Sequence, residues 1–318
     1  SVPDLTWPEP EPLETIEMDD LIRFLQHPMQ WFLKNRMGIT VPKADETPDD
    51  TLPADLNALS SWSVKERLLN GIADGYDLDE LTARELAGDG LPPGALGADD
   101  LDGAIEAATA LWDGAVERGY DREQMQPYRG SVQVGGLLVE GSVSADPQQV
   151  YLFVVTPSRI KGKHRLRAFL ELVFLTALDP DRPWEAHLLG KRERGDGHLA
   201  VSVGPLGDTA AERLSQAEHM LGELVALYRE GLGNPIPLPC ETAHTWQRSL
   251  GRSRSSALWN AGGIWETDRF SPEAADPAHV MLMGDTLSLA ELLEETDFED
   301  YCARLWSPII PLSREKNL

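Results

Sequence analysis

The sequence predicts an α/β fold in which a mixed sheet forms the core and helical segments are added before and after it. Two observations carry this prediction. Three strand-like runs stand between Ser131 and Thr156 and lead through a basic turn into one amphipathic helix and two further strand-like runs. Before residue 120 and after residue 235, apolar residues recur at helical spacing, interrupted by prolines and glycines. The chain accordingly divides into a linker at 1–15, a helical part at 16–120, an α/β core at 121–235 and a helical C-terminal extension at 236–318.

Residues 1–15 are rich in Pro and Glu and read as extended chain. The first helix is expected to start at Asp19 or Asp20 as its N-cap, with Leu21, Phe24 and Leu25 on the apolar face. Pro28 does not fit inside a helix, so a break at His27-Pro28 restarts a second one with Met29, Trp31, Phe32 and Met37. His27 beside that proline reads as a capping or core residue. An acidic loop covers 41–55. Val64, Leu68, Leu69 and Ile72, then Leu78, Leu81 and Leu86, predict two short helices separated by Gly75. The prolines of Gly90 to Gly97 predict a rigid turn. Leu101, Ile105, Ala108, Trp112, Ala115 and Val116 predict the helix that delivers the chain to the sheet.

In the core, Ser131 to Val134 ends at Gly135-Gly136, a hairpin signal. The next strand alternates Val139, Gly141 and Val143 with Glu140, Ser142 and Ser144, which gives one buried and one polar face. After a turn at Asp146-Pro147, the unbroken apolar run Val150 to Val155 predicts a central strand covered on both faces and closed by Pro157. Leu166, Phe169, Leu170, Val173, Phe174 and Ala177 recur at three and four, so a helix of about four turns packs on the sheet. Strands at Glu185 to Leu189 and around Leu199, Val201 and Val203 follow. Asp208 or Thr209 then caps a long helix that carries Leu214, Ala217, Leu221, Leu224, Val225 and Tyr228 and stops at Gly231 and Gly233. Residues 241–318 read as short helices, with Trp246, Trp259, Trp265 and Trp306 as packing anchors.

The chain has 318 residues, 42% of them hydrophobic, enough for a substantial core. No stretch has the length and apolarity of a membrane span, and the expectation is a soluble, cytoplasmic protein. Cys240 and Cys302 are far apart and in no metal spacing, which predicts two buried thiols and excludes a four-cysteine cluster. A net charge of −25 argues against broad nucleic-acid-binding surface, so any DNA contact is local. The glycine-rich segments lack the Lys-Ser/Thr of a phosphate loop, so no nucleotide hydrolysis is expected of this chain, and no cofactor or metal site is expected either.

The order helix, three strands, helix, strand resembles the core of the restriction-endonuclease-like superfamily, written PD-(D/E)XK. Asp19 to Pro28 followed by Trp31-Phe32-Leu33, the Gly90 to Gly97 turn, and Tyr228 to Leu232 leading to Pro235-Ile236-Pro237-Leu238-Pro239 are similar to the C-terminal part of the RecC family. That family is the gamma subunit of exodeoxyribonuclease V, the RecBCD helicase-nuclease. The resemblance implies a non-catalytic role in assembly with RecB-type and RecD-type subunits, and in guiding double-stranded DNA ends or forked DNA during break repair and homologous recombination.

Metal-assisted phosphodiester cleavage needs carboxylates to hold a divalent cation and usually a lysine beside the attacking water. Active relatives carry an Asp at the end of the second strand, where this chain has Ser144, and Asp-X-Lys on the third, where it has Val154-Val155-Thr156. The best-matched positions, Ser144, Val154 and Thr156, supply neither carboxylate nor amine. Where a Gln and Tyr often follow in the family, Arg167 and Glu171 stand. Glu140 shares a face with Ser142 and Ser144 but has no lysine nearby. The remaining positive feature is Arg159, Lys161, Lys163, Arg165 and Arg167, at a helix start that the helix dipole makes unfavourable for cations. An anionic partner, DNA phosphate with help from the helix-start amides, explains them, and a solvated loop that balances an acidic protein explains them equally well. Two smaller clusters, Lys191, Arg192 and Arg194, and Arg248, Arg252 and Arg254, extend this track or face solvent. The rival readings are an active metal-dependent exonuclease domain with displaced catalytic residues, and an interaction module that never touches DNA.

Overall fold

A computed structural model describes residues 13–41, 56–87, 95–192, 197–267, 272–284 and 287–318. The acidic loop at 42–55, the first five residues of the Gly90 to Gly97 turn, Arg194 and most of the N-terminal linker lie outside these.

The chain enters through a short strand, β1 (Thr15–Glu17), where extended linker was expected. Three residues are too few for alternation to reveal a strand, and β1 exists because Ile16 is buried while its backbone pairs in parallel with a later strand. Helix α1 (Met18–Gln26) follows directly, its N-cap being Glu17 and not Asp19 or Asp20, which occupy the first turn. His27 breaks the helix and caps α2 (Pro28–Arg36), its Nδ1 accepting from the Gln30 N–H at 3.2 Å. Next come α3 (Leu56–Ala73), α4 (Leu78–Ala87) and α5 (Ala95–Val116). Ala95 to Gly97 are therefore helical and not part of a turn, and Val116, expected on the apolar face, is exposed.

Strand β2 (Gln126–Val134) begins five residues before the apolar pattern does, and it forms an antiparallel hairpin with β3 (Leu137–Ala145). Gly135 and Gly136 both have positive φ, 56° and 76°, as a two-residue hairpin turn demands. Strand β4 (Tyr151–Arg159) runs through Pro157, with a register shift between Val155 and Arg159. Helix α6 (Gly162–Leu178), β5 (Glu185–Lys191), β6 (His198–Val203) and α7 (Ala210–Gly233) complete the predicted core. Thr209 and Glu212 form a capping box at the start of α7.

Beyond it lie α8 (Cys240–Leu250), α9 (Arg254–Trp265), α10 (Pro277–Met283), α11 (Leu289–Glu295), α12 (Phe298–Trp306) and a last strand, β7 (Ser313–Asn317). The all-helical expectation for this extension fails at β7, whose Ser-Arg-Glu-Lys-Asn sequence has no apolar alternation. It forms by adding to the edge of β6. Trp246, Trp265 and Trp306 are buried, but Trp259 is 83% exposed and anchors nothing within the fold. Both cysteines are buried free thiols, and burial pushes them well above their ordinary value.

Among the described residues two sheets result, in the orders β1-β3-β2 and β4-β5-β6-β7, the latter mixed: β4 and β5 are parallel and the rest antiparallel. Strand β4 is thus an edge strand in pairing, not a central one, which is why Pro157 is tolerated there. Its expected coverage on both faces does hold. Leu152 and Val154 pack into the main core beside Phe169, Val173 and Phe174 of α6, while Phe153 and Val155 pack on a second cluster built from α3, α4 and α5 around Leu68, Ala108 and Leu111. Fully burying a side chain, as at Leu152, stabilises the fold by about 1.5–3 kcal/mol, and the partly buried Phe153, Val154 and Val155 each contribute less.

Candidate nucleic-acid interface

Alternation on β3 sends Leu137, Val139, Val143 and Ala145 into the main core and leaves Ser142 and Ser144 exposed on the opposite face. Glu140 is on that outer face too, where its parallel register partner on β1 is Glu17, another acid. On β4, Val154 packs against the main core. Thr156 is half-buried, and its Oγ1 accepts from the Ser158 N–H at 3.2 Å. Ser144 therefore points away from the core cluster that Val154 packs into, and the three matched positions do not share a face.

The basic stretch spans the end of β4 and the first turns of α6. Arg159 ends the strand opposite Lys191, and Lys161 is the N-cap of the helix. Its backbone N–H donates to His164 Nδ1 at 3.0 Å. Arg159, Lys161 and Lys163 are half-buried. Arg165 is only 2% exposed and pairs with Glu315 of β7 at 2.9 Å. Arg167 bridges Asp19 of α1 at 3.1 Å and Glu171, one turn on, at 3.0 Å. Burial pushes the Glu171 carboxyl up against the opposing pull of Arg167.

The start of α6 already holds an anion. The Glu241 carboxylate accepts from the Gly162 N–H at 2.7 Å and the Lys163 N–H at 3.1 Å. Burial, and Glu273 nearby, push its pKa up. Those two amides are thus engaged within the protein and do not await phosphate, contrary to the expectation from sequence. Glu241 itself opens α8, where the Glu273 carboxylate accepts from the N–H groups of Glu241 and Thr242 at 3.0 and 2.7 Å. Each helix start is capped by an acid delivered from further along the chain.

In the smaller clusters, Arg248 and Arg254 pair with acids of this chain, although Arg252 and Arg254 are exposed. Arg248 pairs with Glu315 at 2.8 Å, and Arg254 makes a two-pronged pair with Glu299 at 2.9 and 2.7 Å. Lys191 and Arg192 lie at the end of β5, partly buried. Arg165, His244, Arg248, Trp306, Ile309 and Glu315 line a cavity of about 280 Å³ beneath β7. Burial, with the charges of Arg165 and Arg248 adding to it, pushes His244 well below its ordinary value. The residues that sequence reasoning missed are these internal counter-anions, Glu241, Glu273 and Glu315. No spacing links residue 241 to 162 or 315 to 165, so only the fold brings them together.

The segments that carry the family resemblance converge as well. Phe24, Trp31 and Tyr228 meet edge to face, with centroids 5.0–5.5 Å apart. Arg36 Nε donates to the Leu232 carbonyl at 2.7 Å, and Gln26 Nε2 donates to the Lys163 carbonyl at 2.8 Å, tying α1 to the basic start of α6. The RecC C-terminal domain family profile matches residues 13–251. The chain belongs to this family. Relatives named RecBCD enzyme subunit RecC are 30% identical over 96% of this chain in Mycolicibacterium smegmatis and 31% identical over 94% in Mycobacterium tuberculosis. The Escherichia coli relative of the same name is 24% identical over 98%. The chain spans between 25% and 28% of the length of these relatives.

Proposed function

We propose that this chain is the non-catalytic C-terminal part of a RecC-type subunit, built on a restriction-endonuclease-like core, that helps assemble a helicase-nuclease with RecB-type and RecD-type subunits. In that assembly it guides DNA ends or forked DNA as the duplex is split in double-strand-break repair and homologous recombination, in the cytoplasm. Residues 121–235 are the nuclease-like core in this reading, with 16–120 and 236–318 as the helical additions. ATP hydrolysis and cleavage belong to the partner chains. One observation carries the non-catalytic part: Ser144, Val154 and Thr156 offer two hydroxyls and an alkyl group where a hard dication requires carboxylates. Among the described residues, the one group of His, Cys, Asp or Glu close enough to share an ion lies elsewhere, at His27, Asp276 and His279.

The role in DNA binding rests on Arg159, Lys161 and Lys163, half-exposed at one helix start, with buried Arg165 and bridged Arg167 holding that start in place. Changing these three to Glu in the assembled complex should weaken forked-DNA binding. It should also flatten the dependence of log affinity on log salt by roughly 0.9 for each phosphate no longer neutralised. Unchanged affinity and slope would leave the pure interaction module as the better reading, which the pairing of Arg165, Arg167, Arg248 and Arg254 with acids of this same chain favours. Chelator-sensitive digestion of linear DNA by the isolated subunit would instead establish the active nuclease.

A further inference from the structure

The start of α2, capped by His27, meets the start of α10, capped by Asp276. His27, Asp276 and His279 each bring one ligand-type atom within 4.8 Å of the others. We propose that this trio binds a single divalent transition-metal ion, with zinc the best match, and that the ion staples the α1–α2 junction to α10.

The local sequence builds half the site. Asp276 is the N-cap and His279 the third helical residue, so both side chains serve the same helix end, and Pro277 fixes the turn between them. His27 arrives from the other end of the chain because the break at Pro28 leaves it outside both helices. Its Nε2 lies 3.2 Å from Asp276 Oδ1, close to the separation of two ligands bound at about 2.0–2.1 Å to a tetrahedral ion.

His279 is set up as a metal-bound histidine is. Its Nδ1 lies 2.6 Å from the Glu273 carbonyl oxygen, which can only accept, so the proton sits on Nδ1 and Nε2 keeps its lone pair. Glu273 is in turn fixed by the α8 amides described above. His279 is buried, while the His27 and Asp276 side chains are 25% and 17% exposed, which leaves an approach for an ion and for water as a further ligand. With no ion, His27 Nδ1 accepts from Gln30, so Nε2 carries the ring proton and faces Asp276. Binding at Nε2 moves that proton to Nδ1, where it faces the Gln30 N–H, so the 3.2 Å bond is lost and the two donors must draw apart, a cost the metal bond has to exceed. Two imidazoles and one carboxylate suit zinc, cobalt or nickel, whereas magnesium and calcium seek oxygen alone. This site is independent of the vacated nuclease positions and of the DNA reading.

The test uses the intact protein carrying this chain, stripped with chelator and then supplied with Zn²⁺ or Co²⁺ alone. Asp276→Asn retains a helix cap but loses the anionic ligand, and His279→Gln removes the buried one. Wild type should take up one equivalent more than either variant, bind at least about tenfold more tightly, and gain thermal stability with zinc that the variants do not gain. Equal uptake by wild type and Asp276→Asn overturns the proposal, as does uptake that leaves the wild-type Tm unchanged. Pulsed EPR on Cu²⁺-loaded wild type decides the matter even where a variant fails to fold: coupling to two imidazole nitrogens is expected, and its absence refutes the site.

Discussion

Arg165 sits on a helix whose sequence neighbours are cations, yet it is buried and pairs with an acid from the last strand of the chain. Removing that acid leaves a buried charge uncompensated, so Glu315→Ala should cost about 3 kcal/mol in chemical unfolding, toward the lower end for broken buried pairs because Glu315 is partly exposed. A value within error of zero would mean that Arg165 repacks toward solvent. His244 lines the same cavity together with Arg165, Arg248 and Glu315. Its folded pKa lies below the ordinary 6.5, so the unfolded chain takes up the proton first. The stabilising contribution is full above pH 6.5 and is lost as pH falls through the depressed value. Urea midpoints should therefore drop below pH 6.5 in wild type and drop less in His244→Gln. At Gly231 an added Cβ would run into the Phe24 ring, so Gly231→Ala should cost roughly 1–3 kcal/mol by overpacking, with a matching fall in Tm.

Helix α6 shows how an element can be legible in its middle and opaque at its start. Its apolar stripe is readable from spacing, because Leu166 to Phe174 obey the helical period that burial selects. What the first turn faces is not readable, because its anion is Glu241, 79 residues from Gly162. Glu241→Ala should destabilise the protein by about 2 kcal/mol, two charge-assisted bonds being removed and a burial penalty relieved. Hydrogen exchange at the Gly162 and Lys163 amides should rise alongside. The strands follow the same rule. Those with apolar residues, β2 to β6, are legible from pattern, whereas β1 and β7 owe their existence to a neighbour's backbone and have no signal of their own. The candidate site divides in the same way. The absence of carboxylates at Ser144, Val154 and Thr156 is plain in the sequence, but that Ser144 faces away from Val154's core depends on how two separate sheets are assembled.

For the molecule as a whole, the residues that carry the family resemblance are packing residues: Phe24, Trp31 and Tyr228 form one aromatic junction, and Ile236 and Leu238 belong to the main core. They report how α1, α2 and α7 are held together, which is why the family is legible without any catalytic motif. Function, by contrast, must be sought where charge survives on the surface of a chain with net −25. The RecC C-terminal profile ends at residue 251, but the fold does not. Strand β7 covers one side of β6, whose Leu199-Ala200-Val201-Ser202-Val203 would otherwise stand as an apolar strand with a full row of unused backbone groups. A chain cut after Leu312, which keeps α9 to α12 and their share of the core and loses little beyond β7, should therefore be sticky in a specific way, recruiting a strand from another copy to replace its own. Light scattering on the truncated chain would then show concentration-dependent growth, and an added Ser313–Asn317 peptide would suppress it.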